Sequence, residues 1–200
     1  FDLLIALAPE EIIPTLKSYE NKADLYIKTT IKGASINGNN PSVKVLFSCD
    51  NGEIINPING HSLKGIKFSG SFTNGKKRAP ETMAFELKSF GLTSGDGLGS
   101  VEVNISMKDF RAPDLELNTK SEIDLKYAQE FLGLKDFTEV KGKLNLALNF
   151  HDIIDLKNPA HTVSKLNENY DLSFILDKTS FKYAGFALPI KRFEIGRAHV

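Results

Sequence analysis

Apolar and polar residues alternate along most of this chain. From Ala23 to Lys32, Leu25, Ile27, Thr29 and Ile31 fall on one side and Tyr26, Lys28, Thr30 and Lys32 on the other, which is the period of a half-buried strand. The same period returns at Val43, Val45, Phe47 and Cys49, at Ile66, Phe68 and Gly70, and at Phe85 and Leu87. It continues at Val101, Val103, Ile105 and Met107, at Leu115 and Leu117, at Leu144, Leu146, Leu148 and Phe150, and at Leu172, Phe174 and Leu176. Asn37-Gly38, Asn51-Gly52, Asn59-Gly60, Asn74-Gly75 and the stretch Gly91 to Gly99 separate these runs as turn signals, and together they predict hairpins of an antiparallel meander. Two segments read as helix: Leu3 to Tyr19, interrupted by Pro9 and Pro14, and a short one from Tyr127 to Leu134.

The two predicted helices mark an internal repeat. After the first comes YENKADLYIKTTIKG (Tyr19 to Gly33), and after the second FTEVKGKLNLALNFHD (Phe137 to Asp152). VKVLFSCDNGEI (Val43 to Ile54) then corresponds to DLSFILDKTSF (Asp171 to Phe181), and SLKGIKF (Ser62 to Phe68) to ALPIKRF (Ala187 to Phe193). The expected class is mostly β: an antiparallel, repeat-built curved sheet or open β-groove with two short helices. Residues 1–125 form a first helix-plus-meander unit and residues 126–194 the start of a second.

The physical question is what covers the apolar side. Burying one Leu, Ile, Val or Phe side chain is worth about 1.5–3 kcal/mol, and two short helices are too small to roof so many. Three arrangements satisfy the pattern: a sandwich or barrel that covers itself, an open trough filled by apolar ligand, or a sheet covered by a partner. In the trough, the lining residues are Leu25, Ile27, Ile31, Val43, Val45, Phe47, Ile66, Phe68, Phe85, Leu87, Val101, Val103, Ile105, Leu115, Leu117, Leu144, Leu146, Leu148, Leu172, Phe174 and Leu176.

Composition narrows the chemistry. The 25 Lys and Arg balance 25 Asp and Glu, so no net field draws in nucleic acid. Cys49, the single cysteine, forms no internal disulfide and no thiolate metal site. His61, His151 and His161 have no second ligand at metal spacing, and GLTSGDGLGS (Gly91 to Ser100) lacks the Lys-Ser/Thr ending of a phosphate loop and leads into a strand. Lys76-Lys77-Arg78 reads as a solvated hairpin tip, and Asn104-Ile105-Ser106 is a glycosylation triplet in mid-strand. The expectation is a non-enzymatic chain with no cofactor and no metal.

The chain starts at Phe1 and not at an initiator Met, so it is expected to be a piece of a longer protein, and with no run of 18 apolar residues any membrane anchor is expected outside it. Ile195 to Val200 (IGRAHV) matches the translation of a sequencing adapter and is left out of fold reasoning.

The order of elements resembles the AsmA-like family of bacterial envelope proteins, in its Bacteroidota-type form. The residues that carry the likeness are LLIALAPEEIIPTLKSY, the strand ending TTIKG, then FSCDNGEI and the hairpin LKGIKFSGSFTNG. The longest stretch is ELKSFGLTSGDGLGSVEVNISMKDFRAPDLELNTKSEIDL, from Glu86 to Leu125. The resemblance implies a periplasmic protein anchored in the inner membrane by an N-terminal helix outside this chain. It also implies bridge-like lipid transfer, in which stacked β units form a groove that carries phospholipid acyl chains between inner and outer membranes. The other reading of the pattern is a closed β-sandwich serving as a structural or interaction module.

Overall fold

The computed structural model describes residues 17–34, 40–155 and 170–185, with the backbone of Ile190–Lys191. The predicted helix Leu3 to Tyr19 (except its last residues), the Asn37-Gly38 turn, His161 and the segment Ile195 to Val200 lie outside these residues.

Alternating β-branched, aromatic and polar residues favour a pleated surface with one wet side, and the chain builds a single ten-stranded antiparallel sheet from them. The strands are β1 (Glu20–Lys22), β2 (Leu25–Lys32), β3 (Ser42–Ile55), β4 (Ser62–Thr73), β5 (Ala84–Ser94) and β6 (Ser100–Lys108), then β7 (Asp114–Asp124), β8 (Phe137–Ile153), β9 (Tyr170–Tyr183) and β10 (Ile190–Lys191). Each strand from β3 to β10 pairs with the next, while β1 and β2 lie end to end along β3. The first and last strands do not meet, so the sheet is open, and the described residues form no second sheet.

One helix, α1 (Leu125–Leu132), interrupts the β7–β8 connection. Its ends are set by local chemistry: the Asp124 side chain accepts from the Tyr127 N–H at 2.8 Å, and Gly133 takes the left-handed conformation at φ 65°. These caps place the helix two residues before the expected Tyr127–Leu134. A single 3-10 turn at Pro80–Thr82 leads into β5. No helix among the described residues is long and apolar enough to cross a membrane.

One of the expected turns is corrected and another is narrowed. Asn51-Gly52 lies inside β3 as an irregularity in the pairing with β4. Gly52 is wedged there: an added Cβ would sit 3.1 Å from the Ile66 Cβ and 3.2 Å from the Cys49 Sγ. The Gly91–Gly99 stretch begins as strand, since β5 runs on to Ser94, and its turn is confined to 95–99. In both places tertiary pairing overrides the local turn preference of Gly.

Pairing is also interrupted along β3 and along β9. Along β3 the ladder breaks between Cys49 and Glu53, where β1 gives way to β2. Along β9 it is irregular between Asp177 and Lys182, opposite Thr138 to Lys143 of β8. Such bulges bend a strand and increase its twist.

Candidate functional site

In an antiparallel ladder, directly paired residues point to the same face. The register therefore settles where each predicted lining residue lies. One row runs Ile27, Phe47, Gly70, Leu87, Ile105, Leu117, Phe150, Tyr170, crossing from β2 to β9 without a break. At about 4.8 Å per strand this row spans about 34 Å.

Flanking rows complete the set. On one side lie Val45, Phe72, Phe85, Met107 and Leu115, with Ile31 opposite Val43 beyond them. On the other lie Leu25, Cys49 and Phe68, continued by Phe90, Val103, Thr119, Leu148 and Leu172. Beyond these come Leu92, Val101, Ser121, Leu146 and Phe174, then Ile123, Leu144 and Leu176. All the predicted lining residues thus share one face. The opposite face carries rows such as Lys28, Leu46, Ser71, Glu86, Ser106, Glu116 and His151.

That apolar face is not sealed. Among the described residues only Cys49, Ile66 and Phe131 are buried hydrophobics. Ile66 is therefore a packing residue more than a lining one. Every other predicted lining residue is half-buried or exposed, with Ile27 at 45%, Ile31 at 62% and Leu172 at 39%. A face closed by a second layer would hold such residues near zero exposure.

Aromatic rings pave one part of the face. Phe47 stacks on Phe85 with centroids 6.0 Å apart, Phe68 stacks on Phe90 at 6.2 Å, and Phe72 meets Phe110 edge-on at 6.1 Å. Gly70 makes room for this paving, because a Cβ there would lie 2.2 Å from the Phe47 ring.

The α1 end is built differently. The Tyr127 hydroxyl donates to the Ser62 carbonyl at 2.6 Å and accepts from the Ser62 and Gly95 N–H groups at 3.0 and 2.9 Å. The Asn56 side chain donates to the Phe131 carbonyl at 2.7 Å, and Asn59 donates to the Glu130 carbonyl. Phe131 stacks on Tyr19 with centroids 5.1 Å apart. These bonds clasp the helix to the β3–β4 and β5–β6 turns. Beneath it lies a cavity of about 230 Å³ whose walls include Leu63, Leu92, Val101, Ile123, Ala128 and Phe131.

Titratable groups do not converge on the apolar face. His61 Nε2 lies 3.0 Å from Glu130 Oε2 at the helix clasp, and His151 Nε2 lies 2.7 Å from Asp114 Oδ1 on the polar face. The docking of α1 supplies Glu130 and the β7–β8 register supplies Asp114, neither of which sequence spacing revealed. Partial burial works to raise the Asp96 carboxyl, but hydrogen bonds from Ser94 Oγ and the Leu98 N–H hold it below the usual carboxylate range. Lys143 is pushed up, first by its hydrogen bond to Glu122 and then by that carboxylate's charge. The described residues hold no cluster of three or more His, Cys, Asp or Glu. Two depressions of about 310 and 410 Å³ lie on the polar face, around Lys120 and Asn145 in one and Lys67 and Asn104 in the other. Arg78 is not a free hairpin cation, since its guanidinium donates to the Asn40 carbonyl at 2.7 Å.

Some face residues escaped the sequence pattern. Phe90 and Leu92 follow Ser89, whose φ of 53° and bulged pairing shift the alternation by one. Thr119 and Ser121 are polar yet sit on the apolar face, so β7 looked shorter than it is. Phe72 was legible, because it continues the period of Phe68 and Gly70.

No family model matches the chain, and neither a curated protein nor a solved structure matches it at a significant level.

Proposed function

We propose that this chain is a segment of an AsmA-like, bridge-type envelope protein whose apolar sheet face carries phospholipid acyl chains between the inner and outer membranes. The observation that carries the reading is the unbroken apolar row from Ile27 to Tyr170 on an open sheet, with only α1 laid over one end of that face among the described residues. Such a surface attracts hydrocarbon without direction, and the rows described above bring it one charged group, Asp152, opposite Leu115 at its edge. A lipid chain slides along it while its head group stays in water, and no covalent step is needed. Periplasmic location, with an inner-membrane anchor outside the chain, belongs to the same proposal.

The test uses a photo-reactive benzophenone amino acid at Ile105 or at Ser106, adjacent residues on opposite faces. The purified chain is irradiated with phosphatidylethanolamine vesicles and analysed by mass spectrometry. Lipid adducts at Ile105 and none at Ser106 support the reading. Equal labelling at both positions, or none at Ile105, overturns it.

A further inference from the structure

The cavity under α1 differs from the rest of the face because it has a roof. Its floor is the last part of the apolar face: Leu92 pairs with Val101, one row beyond Phe90 and Val103. Ala128 and Phe131 of α1 close it from above, and Leu63 and Ile123 complete the wall. The face therefore runs without interruption from an open lane into a covered bay.

Most polar side chains around this bay are already occupied, Glu122 by Lys143, and the exception is the exposed Ser100 hydroxyl. The Tyr127 hydroxyl makes three hydrogen bonds, to Ser62 and Gly95. Asp124 Oδ1 accepts from the Tyr127 N–H, while Ser94 Oγ donates to Asp96 and accepts from the Gly99 N–H. Among the described residues no buried side-chain nitrogen or oxygen lacks a partner. A carboxylate or phosphate placed in the bay would lose its water and gain no buried donor, which is strongly unfavourable. Hydrocarbon meets no such penalty, and apolar cavities of about 150 Å³ already bind molecules the size of benzene.

Resting on the reading of the face as an acyl-chain surface, we infer that the bay under α1 holds the methyl end of a single fatty acyl chain. The chain then runs out along Val101, Val103 and Ile105, about 13 Å at strand spacing. Its polar end lies over the open lane, where water reaches it. The helix is thus an end-stop that orients the lipid across the sheet.

The test uses two spin-labelled fatty acids, 16-doxylstearate with its label near the methyl end and 5-doxylstearate with its label near the carboxylate. The 200-residue chain carries ¹³C-methyl labels on Leu, Ile and Val. The inference requires 16-doxylstearate to broaden the Leu63, Leu92 and Ile123 methyls more than those of Ile105 and Leu117, and 5-doxylstearate to do the reverse. Filling the bay with Ala128→Phe removes the broadening at Leu92 and Ile123 and weakens binding about tenfold, the equivalent of about two methylenes returned to water. The wild-type broadening pattern decides the matter whether or not that variant folds.

If Ile105 and Leu117 broaden while the bay methyls stay sharp, the bay is only a packing gap, and this inference falls while the face reading stands. Broadening confined to the bay removes the face reading and leaves an isolated acyl pocket. No broadening at either place overturns both.

Discussion

Gly70 shows how closely the apolar face is fitted at single positions. It sits in the central row between Phe47 and Leu87, and a Cβ there would lie 2.2 Å from the Phe47 ring and 2.6 Å from the Glu86 carbonyl oxygen. The ring can rotate away but the carbonyl is backbone, so both the aromatic paving and the β4–β5 pairing are disturbed. Gly70→Ala is expected to cost about 1–3 kcal/mol, read as a lower urea midpoint with unchanged slope. A variant as stable as the wild type would mean that Phe47 is not packed over Gly70. Nothing in the local sequence marks Gly70 as special, because a strand glycine looks the same whether or not a ring lies on it. Its place in the period was visible; its necessity comes from Phe47, on the neighbouring strand.

Among the elements, α1 carries the least regular packing. Its presence could be read along the chain but not its bounds, because the caps at Asp124 and Gly133 set the helix two residues before the expected position. Its docking could not be read, because Ser62, Asn56 and Gly95 lie far away in sequence. Gly95 is required at this contact: a Cβ there would meet the Tyr127 hydroxyl at 2.5 Å. Tyr127→Phe keeps the ring but removes three hydrogen bonds, so it is expected to destabilise the chain by about 1–3 kcal/mol. Amide exchange should quicken at Ser62, at Gly95 and along α1, while β6 to β9 stay protected. Unchanged exchange in the helix would show that the clasp does not hold it. The strands teach the complementary lesson. Alternation locates β2 and β6 well, but β5 changes parity at Ser89, and β3 absorbs Asn51-Gly52 without turning. A bulge is chosen by the pairing on both sides, so one strand read alone does not reveal it.

The sheet as a whole is one layer with chemically distinct faces. A charge introduced into a sealed core is stranded, whereas on an open face it reaches water. Val103→Glu is therefore expected to leave the strand signal in far-ultraviolet circular dichroism intact, with a stability loss of about 1 kcal/mol. The native wild-type chain should bind the apolar dye ANS, and the variant should bind it markedly less. Unfolding of the variant would instead identify the face as a closed core. The ion pairs of the polar face, Lys88 with Glu86 and Lys143 with Glu122, are exposed and screened by water, so they add little to stability. The sheet is held mainly by its ladders and by contacts between neighbours on the apolar side.

Side-chain alternation along each strand follows from backbone geometry alone, so the antiparallel class and the division into apolar and polar faces were present in the order of amino acids, except where the Ser89 bulge hid Phe90 and Leu92. Whether those residues would be covered was not present there, because a sandwich and an open sheet are written with the same period. That was decided by how the strands were arranged: β1 and β10 end apart, so the sheet neither closes nor folds onto a second layer among the described residues. The bay under α1 likewise exists only because the register brings Leu63, Leu92, Val101 and Ile123 beneath one helix.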